Sequence, residues 1–135
     1  EKAKAAKAKQ YESQIKLIEK KWPGVQQDEN GIYFKVTKEG SGALCGSNKK
    51  VAVHYKGFLL DGSVFDQSAG RGPLEFGTAS GQMIPGFDIM VQQMKVGEKR
   101  TILLPPDLHY GERGYPGVIP AMSYIGFDIE LLSAK

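Results

Sequence analysis

Residues 51–66 read VAVHYKGFLLDGSVFD, and this stretch decides the fold. Its first half alternates valine or tyrosine with smaller or polar residues, which is the period of a β-strand that runs on towards Leu60. The Asp61-Gly62 pair predicts a hairpin turn, because glycine tolerates the positive φ that such turns require. Strands joined in this way are antiparallel.

The residues on either side of this stretch extend the same pattern. Further strands are predicted at 32–37, 74–76, 99–104 and 125–131. Phe87, Met90, Val91 and Met94 recur at helical spacing and predict one short helix, which we expect Gly97 to end. With no βαβ pattern in the chain, these elements predict an α+β domain in which an antiparallel sheet of four or five strands wraps one helix.

The positive charge of the 135-residue chain lies at its N-terminus. The formal charge is +3, but residues 1–21 hold seven Lys and three Glu, whereas residues 22–135 hold eleven Lys or Arg and twelve Asp or Glu. All 17 Gly and all 7 Pro also follow residue 21. The charge therefore belongs to a solvated N-terminal helix, and we expect neither nucleic acid nor a membrane as a partner.

This N-terminal segment is rich in Ala, Lys, Gln and Glu, which favour a helix. An apolar stripe follows one side of it, at Tyr11, Ile15, Ile18 and Trp22. Leu17 lies off this stripe, and Pro23-Gly24 ends the helix. The sequence predicts a helix or linker over residues 1–23 and a domain over 24–135, with the stripe docked on the domain or on another chain.

Several classes of chemistry lack the residues that they need. A single cysteine, Cys45, excludes a disulfide scaffold and a cysteine zinc site, and it slightly favours the cytoplasm over the periplasm. His54 and His109 lack the spacing of a zinc protease motif, and no Gly-x-Ser-x-Gly occurs. Asp61 and Asp66 could form a carboxylate pair, but Asp61 is explained by its turn. We expect a soluble protein without metal or cofactor.

Aromatic and aliphatic residues gather where predicted strands meet loops rich in Gly and Pro. They include Tyr55, Phe65-Asp66, residues 83–87, Tyr110-Gly111 and residues 118–120. A sheet that curves around one helix would bring such loops together at its mouth. An apolar concavity with a few convergent polar groups is the usual form of a ligand site.

Seven short motifs occur in order across residues 30–133: VHYKG (53–57), DGSVFD (61–66), MIPGF (83–87), VGEK (96–99), PDLHYG (106–111), GVIP (117–120) and FDIELL (127–132). Together they closely resemble the FKBP-type peptidyl-prolyl cis-trans isomerases. The resemblance implies a half-barrel sheet around one helix, with a pocket between them. Gly31-Ile32-Tyr33 after an Ala/Lys-rich helix is similar to the bacterial Mip/FkpA-like branch, in which a preceding helix can dimerise or link domains.

The resemblance also implies the residues of the site. The catalytic set would be Tyr55, Phe65, Asp66, Ile84, Phe87, Tyr110 and Phe127, with Phe87 as the floor. The surrounding substrate-binding set would be Arg71, Leu74, Met83, Tyr115, Val118 and Ile119. Phe87, Leu74 and Tyr115 stand where Trp, Phe and His are common in the family, which keeps the site apolar but changes its size and rim.

The implied activity is acceleration of cis-trans isomerisation at X-Pro bonds in polypeptides, which assists protein folding. The implied partners are proline-containing polypeptides and the macrolides rapamycin and tacrolimus. The alternative is a non-catalytic, peptide-binding chaperone or docking module on the same fold. Because neither histidine has a role in the implied site, we expect little pH dependence of the rate between about 6 and 8.

Overall fold

The computed structural model describes residues 2–28, 31–68, 70, 72–81, 83–105 and 123–135. Within these residues the chain forms α1 (Lys2–Lys21), β1 (Gln26–Gln27), β2 (Tyr33–Lys38), β3 (Lys50–Leu59), β4 (Val64–Gln67), β5 (Leu74–Gly77), α2 (Pro85–Gln92), β6 (Lys99–Leu104) and β7 (Ile125–Ala134). The sequence pattern predicts fewer strands than these seven, because the short β1 and β4 carry too few residues to show an alternation. No helix in the described part is long and apolar enough to span a membrane.

The strands form one antiparallel sheet in the order β1-β2-β6-β7-β3-β4. β3 and β7 are its long central pair, aligned from Val51 opposite Ala134 to Leu59 opposite Ile125. The other edge of β3 pairs with β5 in its first half and with β4 in its second. The predicted fold class, an antiparallel half-barrel around one short helix with a further helix before it, is confirmed.

Helix α2 lies on one face of the sheet and completes the main core, here named the inner cluster. The buried members of this cluster are Ile32, Cys45, Val51, Val53, Phe76, Phe87, Met90, Val91, Met94, Ile102, Leu104, Ile125, Phe127, Ile129 and Leu131. The helix begins at Pro85, whose fixed φ suits a first helical position and whose missing N–H leaves no donor unpaired there. The inner cluster therefore joins the helix to every long strand.

The end of α2 differs from the prediction. The helix ends at Gln92, where the N–H of Gln93 bonds to the carbonyl of Met90 in a tighter turn. Met94 is fully buried but lies beyond the helix. Gly97, with φ of 90°, belongs instead to the turn before β6, so its prediction as the helix terminator is wrong.

Helix α1 covers the opposite face of the sheet through a second core, here named the outer cluster. Its buried members are Ile18, Tyr33, Phe58, Leu60, Leu103 and Tyr124. The Trp22 ring stacks on Phe58 at 5.7 Å between centroids, and the Gln14 side-chain oxygen accepts the Tyr124 N–H at 2.8 Å. The stripe of α1 thus docks on the body of its own chain.

The contact surface of α1 is wider than the predicted stripe. Leu17, which the spacing places off the stripe, is half-buried and packs against the outer cluster together with Ile15, Trp22 and Val25. The contact surface is wider than a single line of residues, because a helix lying on a sheet buries more than one row of side chains. The side chain of Tyr11 lies outside the described part.

Candidate active site

Four aromatic rings from four different elements meet in the inner cluster. They are Tyr55 of β3, Phe65 of β4, Phe87 of α2 and Phe127 of β7. The Phe87 and Phe127 centroids are 5.1 Å apart, Tyr55 and Phe87 6.0 Å, and Phe65 and Phe127 5.8 Å, all in edge-to-face arrangements. Phe87 and Phe127 are buried, whereas Tyr55 and Phe65 are half-buried and reach the surface. We name this group of four rings the aromatic chamber, with Phe87 and Phe127 as its floor.

Aliphatic side chains extend this chamber on the side of β5 and α2. Leu74 begins β5, and Met83 and Ile84 directly precede α2. All three are half-buried and pack against the inner cluster. The structure therefore brings together the predicted apolar site residues that it describes.

One carboxylate lies beside the aromatic rings. The Tyr55 hydroxyl donates a hydrogen bond of 2.7 Å to Asp66 Oδ2, and Asp66 Oδ1 accepts the Gln67 N–H at 2.9 Å. The first bond holds the Tyr55 ring against β4, the strand that also carries Phe65. Asp66 is half-buried, so its carboxyl group lies at the edge of an otherwise apolar chamber.

Gly57 is a site residue that the sequence reasoning missed. It lies opposite Phe127 across the β3–β7 pair, on the inner face. A Cβ at this position would lie 2.8 Å from Phe65 Cζ and 2.9 Å from Phe127 Cε1, closer than real Cβ contacts. The two rings meet only because residue 57 has no side chain. A glycine that interrupts a strand can signal such a close approach.

Ser68 is a second missed residue, and it fixes the backbone at Tyr55. Its buried Oγ accepts the Tyr55 N–H at 2.9 Å and lies 2.9 Å from His54 Nδ1. The Ser68 N–H also donates to the Tyr55 carbonyl at 2.9 Å. No motif in the sequence marks this serine, because its partners lie on β3, more than ten residues away along the chain.

Five predicted site residues, Arg71, Tyr110, Tyr115, Val118 and Ile119, lie outside the described residues. Within the described part, no group of three His, Cys, Asp or Glu side chains could hold a metal ion. The thiol of Cys45 is buried in the core, and this burial is the main cause that raises its pKa. The described chamber therefore offers apolar walls and hydrogen-bonding groups.

A separate cavity of about 600 Å³ lies on the outer face of the sheet. Lys56 Nζ lies 3.9 Å from Asp128 Oδ2 on its lining, and Lys99 is opposite Glu130 in the register of β6 and β7. The Thr101 hydroxyl also donates to Asp128 at 2.6 Å. This cavity is lined mostly by polar and charged residues, whereas the predicted apolar site residues of the described part meet in the aromatic chamber, so we take the chamber as the candidate functional site.

A curved antiparallel sheet that holds an apolar chamber against one short helix defines a class of small α+β ligand-binding domains. Two solved structures share this architecture. AtFKBP13 superimposes with a TM-score of 0.78 at 32% identity, covering 82% of this chain and 98% of that one. FkpA from Escherichia coli has the same TM-score at 36% identity, covering 97% of this chain and 59% of that one.

The chain belongs to the FKBP-type peptidyl-prolyl cis-trans isomerase family, whose family model matches residues 44–132. It is 41% identical over 121 residues to the FKBP-type 22 kDa peptidyl-prolyl cis-trans isomerase of Escherichia coli K12, covering 87% of this chain and 58% of that protein. It is also 42% identical over 106 residues to FK506-binding protein 1 of Dictyostelium discoideum, covering 78% and 99%. The predicted family is confirmed, and the chain spans little more than half of the bacterial relative.

Proposed function

We propose that the aromatic chamber binds a prolyl residue of a polypeptide and accelerates cis-trans rotation of the preceding peptide bond. The observation that carries this proposal is the set of contacting rings formed by Tyr55, Phe65, Phe87 and Phe127, with Asp66 beside it. A pyrrolidine ring is compact and apolar, so it suits a floor made by Phe87 and Phe127. The name of the Escherichia coli relative and the description of the family support the same activity.

The chemistry needs neither a nucleophile nor a proton transfer. Rotation about a peptide bond is opposed by a barrier of about 18–20 kcal/mol, because resonance gives the C–N bond double-bond character. The twisted transition state loses this resonance and its charge separation, so an apolar wall favours it over the planar, better hydrated ground state. A thousandfold acceleration requires only about 4 kcal/mol of such preference.

Polar groups at the edge of the chamber would orient the substrate. In this proposal the Ile84 N–H, at the start of α2, and the Tyr110 hydroxyl hold substrate carbonyls in a turn, as the family resemblance implies. Asp66, fixed by the Tyr55 hydroxyl at 2.7 Å, orients polar groups of the twisted bond. Arg71, Tyr115, Val118 and Ile119 would complete the substrate-binding rim.

A protease-coupled isomerisation assay on X-Pro peptides tests the activity. We expect acceleration at micromolar protein, and a strong loss for Asp66→Ala. Asp61→Ala is the matched control, because it removes the same charge from an exposed turn in the same hairpin. If the wild-type chain gives no acceleration but slows aggregation of an unfolded protein, the non-catalytic chaperone reading replaces this proposal.

We further propose that tacrolimus and rapamycin compete for the same chamber. The Dictyostelium relative is named for its binding of FK506, which is tacrolimus. In this chain Phe87 and Leu74 are smaller than the Trp and Phe common in the family, so a bulky macrolide would meet a wider floor. Inhibition of the isomerisation by increasing macrolide measures the fit, and full activity at saturating macrolide would contradict shared binding.

We also propose that residues 1–23 form a helix or linker and that residues 24–135 form the isomerase domain. Docking of Ile18 and Trp22 on the body supports a helix that packs within its own chain. Sedimentation of the whole chain tests whether it also dimerises or links to another domain. We propose the cytoplasm rather than the periplasm as its compartment, because the single Cys45 is a free thiol.

A further inference from the structure

Asp88 is a buried acidic residue that the proposed reaction does not use. It lies in the first turn of α2 and is 7% exposed. Its carboxylate accepts the Ala79 N–H at 3.0 and 3.1 Å from its two oxygens, and Oδ1 also accepts the Gln92 side-chain amide at 2.9 Å. Burial of a carboxylate is costly unless donors replace its water, and these two donors do so.

The partner of Asp88 is a residue in a strained backbone conformation. Ala79 has φ of 59°, in the left-handed region that alanine rarely adopts. Its neighbour Thr78 is buried, and its hydroxyl donates to the Gly46 carbonyl at 3.0 Å and accepts the Lys49 N–H at 2.9 Å. The turn after β5 is thus held from two sides, by Thr78 against the chain before β3 and by Asp88 against α2.

Asp88 also connects this turn to the wall of the chamber. Its backbone N–H donates to the Ile84 carbonyl at 3.2 Å, while its side chain holds Ala79. One residue therefore bonds to both ends of the connection that joins β5, which begins at Leu74, to α2. Met83 and Ile84, which line the chamber, lie within the segment between these two bonds.

We propose that Asp88 is a positioning residue, which holds the connection between β5 and α2 so that Met83 and Ile84 face the substrate in a fixed geometry. This inference rests on the proposed function, because it assumes that these residues contact a substrate. An acidic residue in the first turn of a helix also interacts favourably with the helix dipole, but that effect requires neither burial nor the bond to Ala79. The two-sided attachment of the turn is what favours a positioning role.

The test compares three variants of the full chain. Asp88→Ala removes the acceptor, and Asp88→Asn keeps a carbonyl oxygen in the same place. Thr101→Val is a control, because it removes the hydrogen bond of a buried hydroxyl to the carboxylate of Asp128 on the outer face. The measurements are kcat and KM for an X-Pro peptide, the midpoint of urea unfolding, and amide hydrogen exchange at Ala79. All are made at a temperature where each variant is folded.

For Asp88→Ala we expect a fall in kcat/KM of about fivefold or more, mainly through KM, with faster exchange at Ala79, because a loosened wall must be ordered on binding. Asp88→Asn should recover to within about twofold, and Thr101→Val should be destabilised without a change in kcat/KM. Unchanged kcat/KM in Asp88→Ala, or an equal fall in Thr101→Val, would overturn the inference. An inactive wild-type chain would instead overturn the proposed function, and exchange at Ala79 would still report whether Asp88 holds the turn.

Discussion

The central strands carry two glycine–phenylalanine pairs that face opposite sides of the sheet. Gly57 of β3 lies opposite Phe127 of β7 on the inner face, and in the next register position Phe58 lies opposite Gly126 on the outer face. In each pair the missing side chain makes room for a ring: a Cβ on Gly126 would lie 2.3 Å from Phe58 Cε2. A glycine opposite a phenylalanine on the neighbouring strand thus makes room for a ring in both the inner and the outer cluster.

The two faces differ in what covers the rings. On the outer face, Trp22 stacks on Phe58 and the buried Ile18 fills the space beside it. On the inner face, Phe127 meets Phe65, which stays half-exposed. Helix α1 of the same chain packs on the outer cluster, whereas the rings of Tyr55 and Phe65 on the inner face are half-buried. The proposed ligand site lies on the inner face, so changes on the two faces should separate activity from stability.

Loss of the chamber floor should have the largest effect. Phe87 is fully buried and contacts the rings of Tyr55, Phe76 and Phe127. We expect Phe87→Ala to lower the free energy of unfolding by about 3–5 kcal/mol and to abolish most of the isomerase activity. Urea unfolding and the peptide assay on the same preparation measure both effects.

Phe87→Leu is the control for this change, because it keeps much of the buried volume but removes the ring. It should remain folded and still lose activity. If the folded leucine variant isomerises peptides as fast as wild type, an aromatic floor is not required for catalysis.

The matching change on the outer face should affect stability alone. Ile18 of α1 is fully buried against the sheet, so Ile18→Ala should lower the free energy of unfolding by about 2–4 kcal/mol. Because the sheet separates Ile18 from the chamber, kcat/KM should stay within about twofold of wild type. Leu17→Ala, at a half-buried neighbour, should show a smaller destabilisation. A fall in kcat/KM that parallels the loss of stability would show that the two faces are coupled.

The two glycines give the most direct contrast. Gly57→Ala and Gly126→Ala each force a Cβ into a ring, which should cost about 1–3 kcal/mol of unfolding free energy in either variant. Only Gly57→Ala moves Phe65 and Phe127, so it alone should lower kcat/KM, by about tenfold. Steady-state kinetics of the two variants, compared at equal folded fraction, decides the point. Equal losses of activity would contradict a site confined to the inner face.

These residues also show how far the sequence predicts the molecule. Alternation in β3, β6 and β7 predicts the sheet, and the ordered motifs predict the family and the chamber. The roles of Gly57 and Gly126 depend on cross-strand register, which alternation within one strand does not specify. The wrong prediction that Gly97 ends α2 has a related cause, because a glycine with positive φ occurs in a turn before a strand as well as at the end of a helix.

Bonds between distant residues are the other part that the sequence does not predict. Ser68 fixes Tyr55, and Asp88 holds Ala79, through hydrogen bonds that only the folded chain brings into reach. Both polar residues look ordinary in the sequence. The spacing likewise does not predict the contact of the half-buried Leu17, since the width of a helix–sheet contact depends on the surface beneath the helix.

The smallest expected effect is a difference between the faces in their response to pH. Burial of Tyr33 in the outer cluster, with a smaller contribution from the negative charge of Glu19, raises the pKa of its phenol above the ordinary value of 10.0. A folded-state pKa above the unfolded one means that stability is fully present below pH 10 and is lost as the pH rises through the raised value. The unfolding free energy should therefore decline above pH 10, and Tyr33→Phe should reduce that decline.

The activity of the inner face should not depend on pH near neutrality, because the proposed rotation moves no proton. Activity of the wild-type chain should be nearly constant between pH 6 and 8, and His54→Ala should retain it, since the His54 ring bonds to Ser68 rather than to the chamber. A sigmoidal rate profile centred near 6.5, the ordinary pKa of histidine, would contradict a mechanism without proton transfer. A rate that is constant over this range, together with a loss of stability at high pH that depends on Tyr33, would show that the pH response belongs to the outer face and catalysis to the inner face.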